Sequence, residues 1–174
     1  MIFILKLDHR PFRDKRITTH CALVSRAFGA NCFYYSGVED NILEKNILNI
    51  NKQWGSDFQI KFIKEPMIFT KNFIGVKIHL TMYGDKITKK INKIIKLNNK
   101  KNLLIIVGGP KVNKFYYEIV DYNISITNQP HSEVAALAIT LNLLNPDYLN
   151  KDFFKNNQLK IIPNNKNKKV MSLK

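Results

Sequence analysis

Only four of the 28 basic residues are arginine, and all four fall between residues 10 and 26: Arg10, Arg13, Arg16 and Arg26. Everywhere else the chain uses lysine. The planar, five-donor guanidinium fork matches phosphate oxygens in a way that a lysine point charge does not. The cluster therefore suggests phosphate recognition, although chance placement of arginine on a helix surface gives the same pattern. A second stretch with chemical potential is Thr127–Ser132, a polar knuckle after an apolar run that ends in Ile124 and Ile126. Apolar residues then recur at helical spacing: Val134, Leu137, Ala138, Leu141, Leu144. With Pro130 near the start, Glu133 in the first turn and Pro146 beyond the end, this reads as strand, loop and helix. Such a loop offers free backbone N–H groups at the carboxyl edge of a sheet, where α/β proteins bind ligands. An ordinary βα turn reads the same way.

Several chemistries are excluded. Gly108-Gly109-Pro110-Lys111 lacks the P-loop pattern, and Pro110 removes a donor from any cradle. No GxGxxG or GxSxG occurs. His9, His20, His79 and His131 have no metal-ligand spacing with one another or with the cysteines. Cys21 and Cys32 form no CxxC and read as reduced core residues of a cytosolic protein. Ile2–Leu5 is too short for a signal peptide or a span.

These residues must be held by a scaffold, and the 174-residue chain is 45% hydrophobic, enough for one domain with a core. Ile2–Leu7 predicts a first strand, followed by a loop and a helix capped by Thr18 or Thr19 and ended by Gly29. Asn31–Tyr35 predicts a second strand. Glu39 and Asp40 open a helix with an apolar stripe at Leu43, Ile47, Ile50 and Trp54. Phe58–Ile63 alternates as a third strand, and Pro66–Phe73 is a short helix. Val76–Leu80 is a fourth strand with Thr81–Gly84 as its exit loop, and Asp85–Leu97 a Lys-rich amphipathic helix. Leu103–Val107, five apolar residues in a row, predicts a strand covered on both faces. Phe115–Val120 is a short helix before the strand Asn123–Ile126. Asp147–Phe154 predicts one more helix and Leu159–Ile162 a last strand. Residues 164–174 form a basic tail expected to be poorly ordered, leaving residues 1–163 as the domain.

Alternating strand and helix predicts an α/β fold, a mostly parallel sheet with helices on both faces. Thr81–Gly84, Gly108–Val112 and Thr127–Ser132 then share one sheet edge with the Arg-bearing loop. If their strands are neighbours, the loops wall a single pocket. The formal net charge of +15 favours a polyanion partner, RNA or DNA before membrane, although a Lys/Asn/Ile-rich compositional bias contributes. A pocket of backbone loops beside a phosphate-seeking Arg loop suits a nucleoside-like cofactor next to a nucleic acid.

HRPFRDKRITTHCALVSRAFGA, VKIHLTMYG, LLIIVGGPKV and DYNISITNQPHSEVAALAI, in this order and at these separations, closely resemble the archaeal tRNA cytidine-56 2′-O-methyltransferases of the SPOUT superfamily. The likeness covers Met1 to about Leu144 and, more weakly, Leu159–Ile162. It implies a carboxyl-terminal trefoil knot, a homodimer, and S-adenosylmethionine as cofactor of a tRNA-modifying enzyme. Carried over by motif, the cofactor residues are Leu80; Gly108, Gly109, Pro110, Lys111 and Val112; Ile126, Thr127, Asn128 and Gln129; and Pro130, His131, Ser132 and Glu133. The family usually has Gly where this chain has Thr127, which would strain a left-handed backbone there. The second residue of Gly108-Gly109 is often Ala. A ribose hydroxyl is a very weak acid, so a cation that stabilises the developing alkoxide helps most. Arg16 is assigned that role, with His20 as a second catalytic candidate and Arg10, Arg13 and His9 gripping RNA. His131 reads as a loop hydrogen bond, and Asn128 and Ser132 as loop-shaping and helix-capping residues. Two other readings stand beside this one: a methyltransferase of the same fold acting at another RNA position, and a non-enzymatic RNA-binding module.

Overall fold

The computed structural model describes residues 1–13, 15–109, 111–150 and 153–173. Six strands build the main sheet: β1 (Ile2–His9), β2 (Cys32–Gly37), β3 (Gln59–Phe62), β4 (Val76–Lys86), β5 (Leu103–Val107) and β6 (Tyr122–Ser125). Their order is β3-β2-β1-β5-β4-β6, and every pairing is parallel. Parallel neighbours require crossovers, which are the helices α1 (Lys15–Ala27), α2 (Asn41–Trp54), α3 (Pro66–Asn72), α4 (Ile87–Asn98) and α5 (Lys114–Ile119). A last helix, α6 (Glu133–Leu144), follows β6.

Strand alternation sorts the core into two layers. Ile2, Ile4, Leu103, Ile105 and Val107 face α1, α2, α4 and α6. Phe3, Leu5, Leu7, Leu104 and Ile106 face α3 and α5 through Phe69, Phe73, Phe115 and Tyr116. All five residues of β5 are buried, as its unbroken apolar run requires. Asp40 caps α2 by accepting from Ile42 N and Leu43 N. Gly29 ends α1 with φ 84°.

β4 differs from the expected five-residue strand. Ile124 of β6 is in register with Leu80 and again with Asp85. A strand residue presents one pairing edge to each side. Residues 81–84 therefore arch across β6, and residues 85–86 run along its second edge. Gly84 permits the close crossing, because a Cβ there would overlap the backbone of Asn123 and Ile124. Asn128 fastens the arch from the far side, its Nδ2 donating to Met82 O at 2.8 Å and Gly84 O at 3.2 Å.

Three other expectations are corrected. α1 begins at Lys15, so Thr18 lies within the helix rather than at its cap. The helix expected over 147–154 is a single 3-10 turn at Pro146–Leu149; Lys151 and Asp152 lie outside the described residues. The basic tail is not featureless: β8 (Val170–Ser172) pairs antiparallel with β7 (Leu159–Ile161), apart from the main sheet. The start of the hairpin is tied to α2, with Gln158 N donating to Gln53 O at 3.0 Å. No described helix is long and apolar enough to cross a membrane.

Candidate active site

At the carboxyl edge of the sheet lies a cavity of about 440 Å³. Its floor is the ends of β1, β4 and β5. Its walls come from the arch, the loop after β5, the knuckle before α6, and the turn that leads into α1. The three exit loops expected to share an edge do meet there, because β5 and β6 flank β4.

Of the residues carried over as cofactor ligands, Leu80, Gly108, Gly109 and Val112 line the cavity, as do Ile126, Pro130, His131, Ser132 and Glu133. Lys111, Thr127, Asn128 and Gln129 do not, although each belongs to a lining loop. Pro110 lies outside the described residues. Gly108 leaves no room for a Cβ unless the Val112 side chain shifts, since a Cβ would run into Val112 Cγ2. Gly109 is different: a Cβ there would meet Glu133 Oε1 only at 3.8 Å, so alanine fits. Thr127 shows no left-handed strain; the described non-glycine residues with positive φ are Asp8 and Asn156. Ser132 Oγ accepts from Val134 N at 3.2 Å and caps α6. His131 Nδ1 donates to Gln129 O at 2.7 Å, a loop hydrogen bond on a residue that also reaches the cavity.

The arginines separate. Arg10 and Arg13 line the cavity, and Arg10 lies 3.6 Å from the exposed Asp8 carboxylate. Arg16 is exposed on α1, next to the cavity-lining Ile17. His20, four residues on, shares its helix face and is also exposed. Neither reaches into the cavity of the single chain. Arg26 departs from the expected phosphate cluster. It is buried, donating from Nε to Asn51 Oδ1 at 2.9 Å and from Nη2 to Gly55 O at 2.6 Å, with its guanidinium 4.7 Å from the Phe154 ring. It joins α1, α2 and the carboxyl-terminal segment.

His9 is also placed otherwise than expected, and an RNA cannot reach it. β1 loses register between Lys6 and His9, where Asp8 takes φ 58°. This turns the His9 ring inward until it is 1% exposed. Nδ1 meets Thr18 Oγ1 at 2.8 Å and Nε2 meets Asp40 Oδ2 at 3.2 Å. Burial opposes the Asp40 charge, but the N–H groups of Leu43 and Ile42 and the His9 ring outweigh it and hold the carboxyl below its ordinary range. His9 thus braces the turn that carries Arg10 and Arg13.

Three cavity residues escaped the sequence reading. Lys6 is buried within the apolar run Ile2–Leu7 of β1; its Nζ donates to Leu7 O at 3.0 Å and lies 3.6 Å from Glu133 Oε1. A lone lysine in a core strand was the available signal. His79 and Tyr117 meet edge to face with ring centroids 4.7 Å apart. Asn123 Nδ2 donates to Tyr117 O at 2.8 Å, so its Oδ1 is the acceptor facing His79 Nδ1 at 3.0 Å. The proton sits on Nδ1, and Nε2 is left as the acceptor. Burial lowers the His79 pKa, and the Asn123 bond opposes it only in part. Cys21 lies below the cavity with its thiol pushed up to about 12 by burial, which makes it inert. Among the described residues no three His, Cys, Asp or Glu side chains come together as a metal site.

Residues 54–171 match the family model described as tRNA ribose 2′-O-methyltransferase, aTrm56. A tRNA (cytidine(56)-2′-O)-methyltransferase from Pyrococcus horikoshii is 45% identical over 175 residues, covering 99% of this chain and 86% of that protein. The chain belongs to the aTrm56 family. Solved structures agree with an aTrm56 chain in fold, at low sequence identity. The TrmH/SpoU tRNA modifying enzyme from A. aeolicus superposes with a TM-score of 0.57 at 14% identity, covering 86% of this chain and 76% of that one. The SpoU methyltransferase AviRb from Streptomyces viridochromogenes, in complex with the cofactor AdoMet, superposes with a TM-score of 0.54 at 13% identity, covering 84% and 57%. The aTrm56 sheet thus has the fold of these methyltransferases, with its cavity at the edge where β5, β4 and β6 end.

Proposed function

We propose that the protein transfers the methyl group of S-adenosylmethionine to the ribose 2′-oxygen of cytidine 56 in the T-loop of tRNA. Family membership carries this reading, and the cavity is compatible with it. Its volume falls within the roughly 300–1,000 Å³ of small-ligand sites. One part is uncharged and apolar, with Leu80, Met82 and Ile126; another is charged, with Arg10, Arg13 and Glu133. A nucleoside joined to an amino acid needs both. The open wall at Gly109 leaves room beside Glu133.

S-adenosylmethionine, when bound, supplies an already activated methyl group, so the protein's task is positioning and proton removal. Leu80, Gly108 and Val112, with the knuckle residues Ile126 and Pro130 to Glu133, would hold it. Arg10 and Arg13 at the mouth would grip the RNA backbone. Arg16, exposed on α1 next to the cavity-lining Ile17, would stabilise the negative charge that grows on the 2′-oxygen as its proton leaves. His20, one turn further along the same face, is the second group placed to assist.

The same reading includes a trefoil knot, a homodimer and a cytoplasmic location. The knot is supported by the double register of Ile124 and by the arch of residues 81–84 around β6. The homodimer is supported by α6, which is apolar nearly all round and leaves Ala135 and Ile139 exposed. A second copy would cover them. Sedimentation at two concentrations, with Ile139→Glu beside the wild type, tests this.

The deciding experiment is labelled methyl transfer to an unmodified tRNA transcript and to a matched transcript with 2′-deoxycytidine at position 56. Label on the first alone supports the reading, and equal label on both overturns the assigned atom. Arg16→Ala should lower kcat about a hundredfold with cofactor binding retained; an unchanged rate removes that residue from the mechanism.

A further inference from the structure

The turn between β1 and α1 holds one residue that neither the fold nor the cavity accounts for. Phe12 is fully exposed, at 103% of the reference area for the residue. Scattered exposed apolar residues are normal and need no explanation. This one sits between Arg10 and Arg13, both of which line the cavity. The turn is closed by Arg13 N donating to Arg10 O at 3.1 Å. His9, immediately before it, is locked to Thr18 and Asp40, so the root of the turn is fixed. Across the mouth, Tyr83 of the arch is 74% exposed and lines the same cavity.

An exposed aromatic ring on a turn that also carries two cavity-lining arginines is what an unstacked base of a polyanion requires. The ring takes the base's π-face while the cations take the flanking phosphates. The +15 charge of the chain favours such a partner. We propose that Phe12 is a base-stacking residue, which receives a nucleobase of the RNA next to the ribose being methylated. This rests on the methyltransferase reading above and adds to it a contact that selects an opened loop over a paired helix, whose bases are not available to stack.

The test is steady-state methyl transfer to tRNA by wild type, Phe12→Ala, Phe12→Leu and Phe12→Trp, with cofactor affinity measured separately by calorimetry. Phe12→Ala should raise the KM for tRNA about tenfold or more. Its kcat should stay within about twofold of wild type and its cofactor affinity should not move. Phe12→Trp should restore the KM. Phe12→Leu, which keeps apolar bulk without a π-face, should not. A wild-type KM in Phe12→Ala, or full rescue by Phe12→Leu, overturns the proposal. So does a Phe12→Ala protein that changes its sedimentation coefficient, because the ring is then covered by a second copy. A wild-type protein that neither binds nor methylates tRNA overturns the underlying reading and this proposal with it, whereas active wild type with an indifferent Phe12 overturns this proposal alone.

Discussion

Lys6 of the first strand and Glu133 at the start of the last helix lie 3.6 Å apart inside the cavity. The lysine is almost wholly buried, while the carboxylate keeps a quarter of its side-chain surface. Removing one member of a buried pair leaves the other unsatisfied. Because solvent reaches Glu133, the cost of Lys6→Met should be about 1–2 kcal/mol rather than that of a fully buried pair. Calorimetric titration with S-adenosylhomocysteine should show affinity falling about tenfold, and Lys6→Met/Glu133→Gln should recover part of the loss. Equal effects in the single and double variants would show that the two groups act independently.

Two glycines make opposite predictions. Gly84→Ala forces a methyl group into the β6 backbone and should cost about 1–3 kcal/mol of stability. Gly109→Ala meets only ordinary contacts and should leave the urea midpoint unchanged. Unfolding curves of the two variants, run beside wild type, check both.

Arg26→Met should behave as a stability variant. Asn51 Oδ1 and Gly55 O would each lose a buried donor, at a cost of about 2–3 kcal/mol in all. For a chain of this size that lowers Tm by roughly 5–10 °C. Methyl transfer measured well below the new Tm should be near wild type, in contrast to Arg16→Ala.

His79 should make stability depend on pH on the acid side of neutrality. Burial holds its folded pKa below the ordinary 6.5. As pH falls through 6.5 the unfolded chain takes up a proton that the folded chain refuses. The stabilisation present above 6.5 is then lost progressively toward the folded pKa, at up to about 1.4 kcal/mol per pH unit. Melting curves from about pH 7.5 to 5 should show Tm falling in wild type and falling less in His79→Gln. Parallel slopes would assign the titration elsewhere.

Much of the scaffold could be read from local pattern. The five apolar residues of β5 allowed nothing but a strand buried on both faces, and Asp40, Gly29 and Ser132 each stand at a helix end that their chemistry dictates. The exit loops met at one cavity because alternating strand and helix forces parallel pairing. What was hidden depends on long-range placement. Lys6 looks like a surface residue until α6 brings Glu133 to it. The four arginines look alike until Asn51 and Gly55, 25 and 29 residues further on, claim Arg26. His9 sits in the same motif as Arg10, yet a single left-handed residue, Asp8, sends its ring into the interior. The β7–β8 hairpin drew together a tail whose composition alone suggested disorder.

The wrapping of β6 has one more consequence. A strand at the margin of a sheet ordinarily offers a row of unused donors and acceptors on which another chain can add. By sheet order β6 is such a margin, but Leu80 lies along one of its edges and Asp85 along the other. Among the described residues of the main sheet, the margin open along its whole length is β3, four residues long, with Lys61 standing exposed on it. Growth of the sheet by strand addition is favoured there, three strands away from β5, on the side remote from the arch. The wall of the cavity is thereby sealed against the kind of association that most threatens an α/β sheet, by the same crossing that builds it.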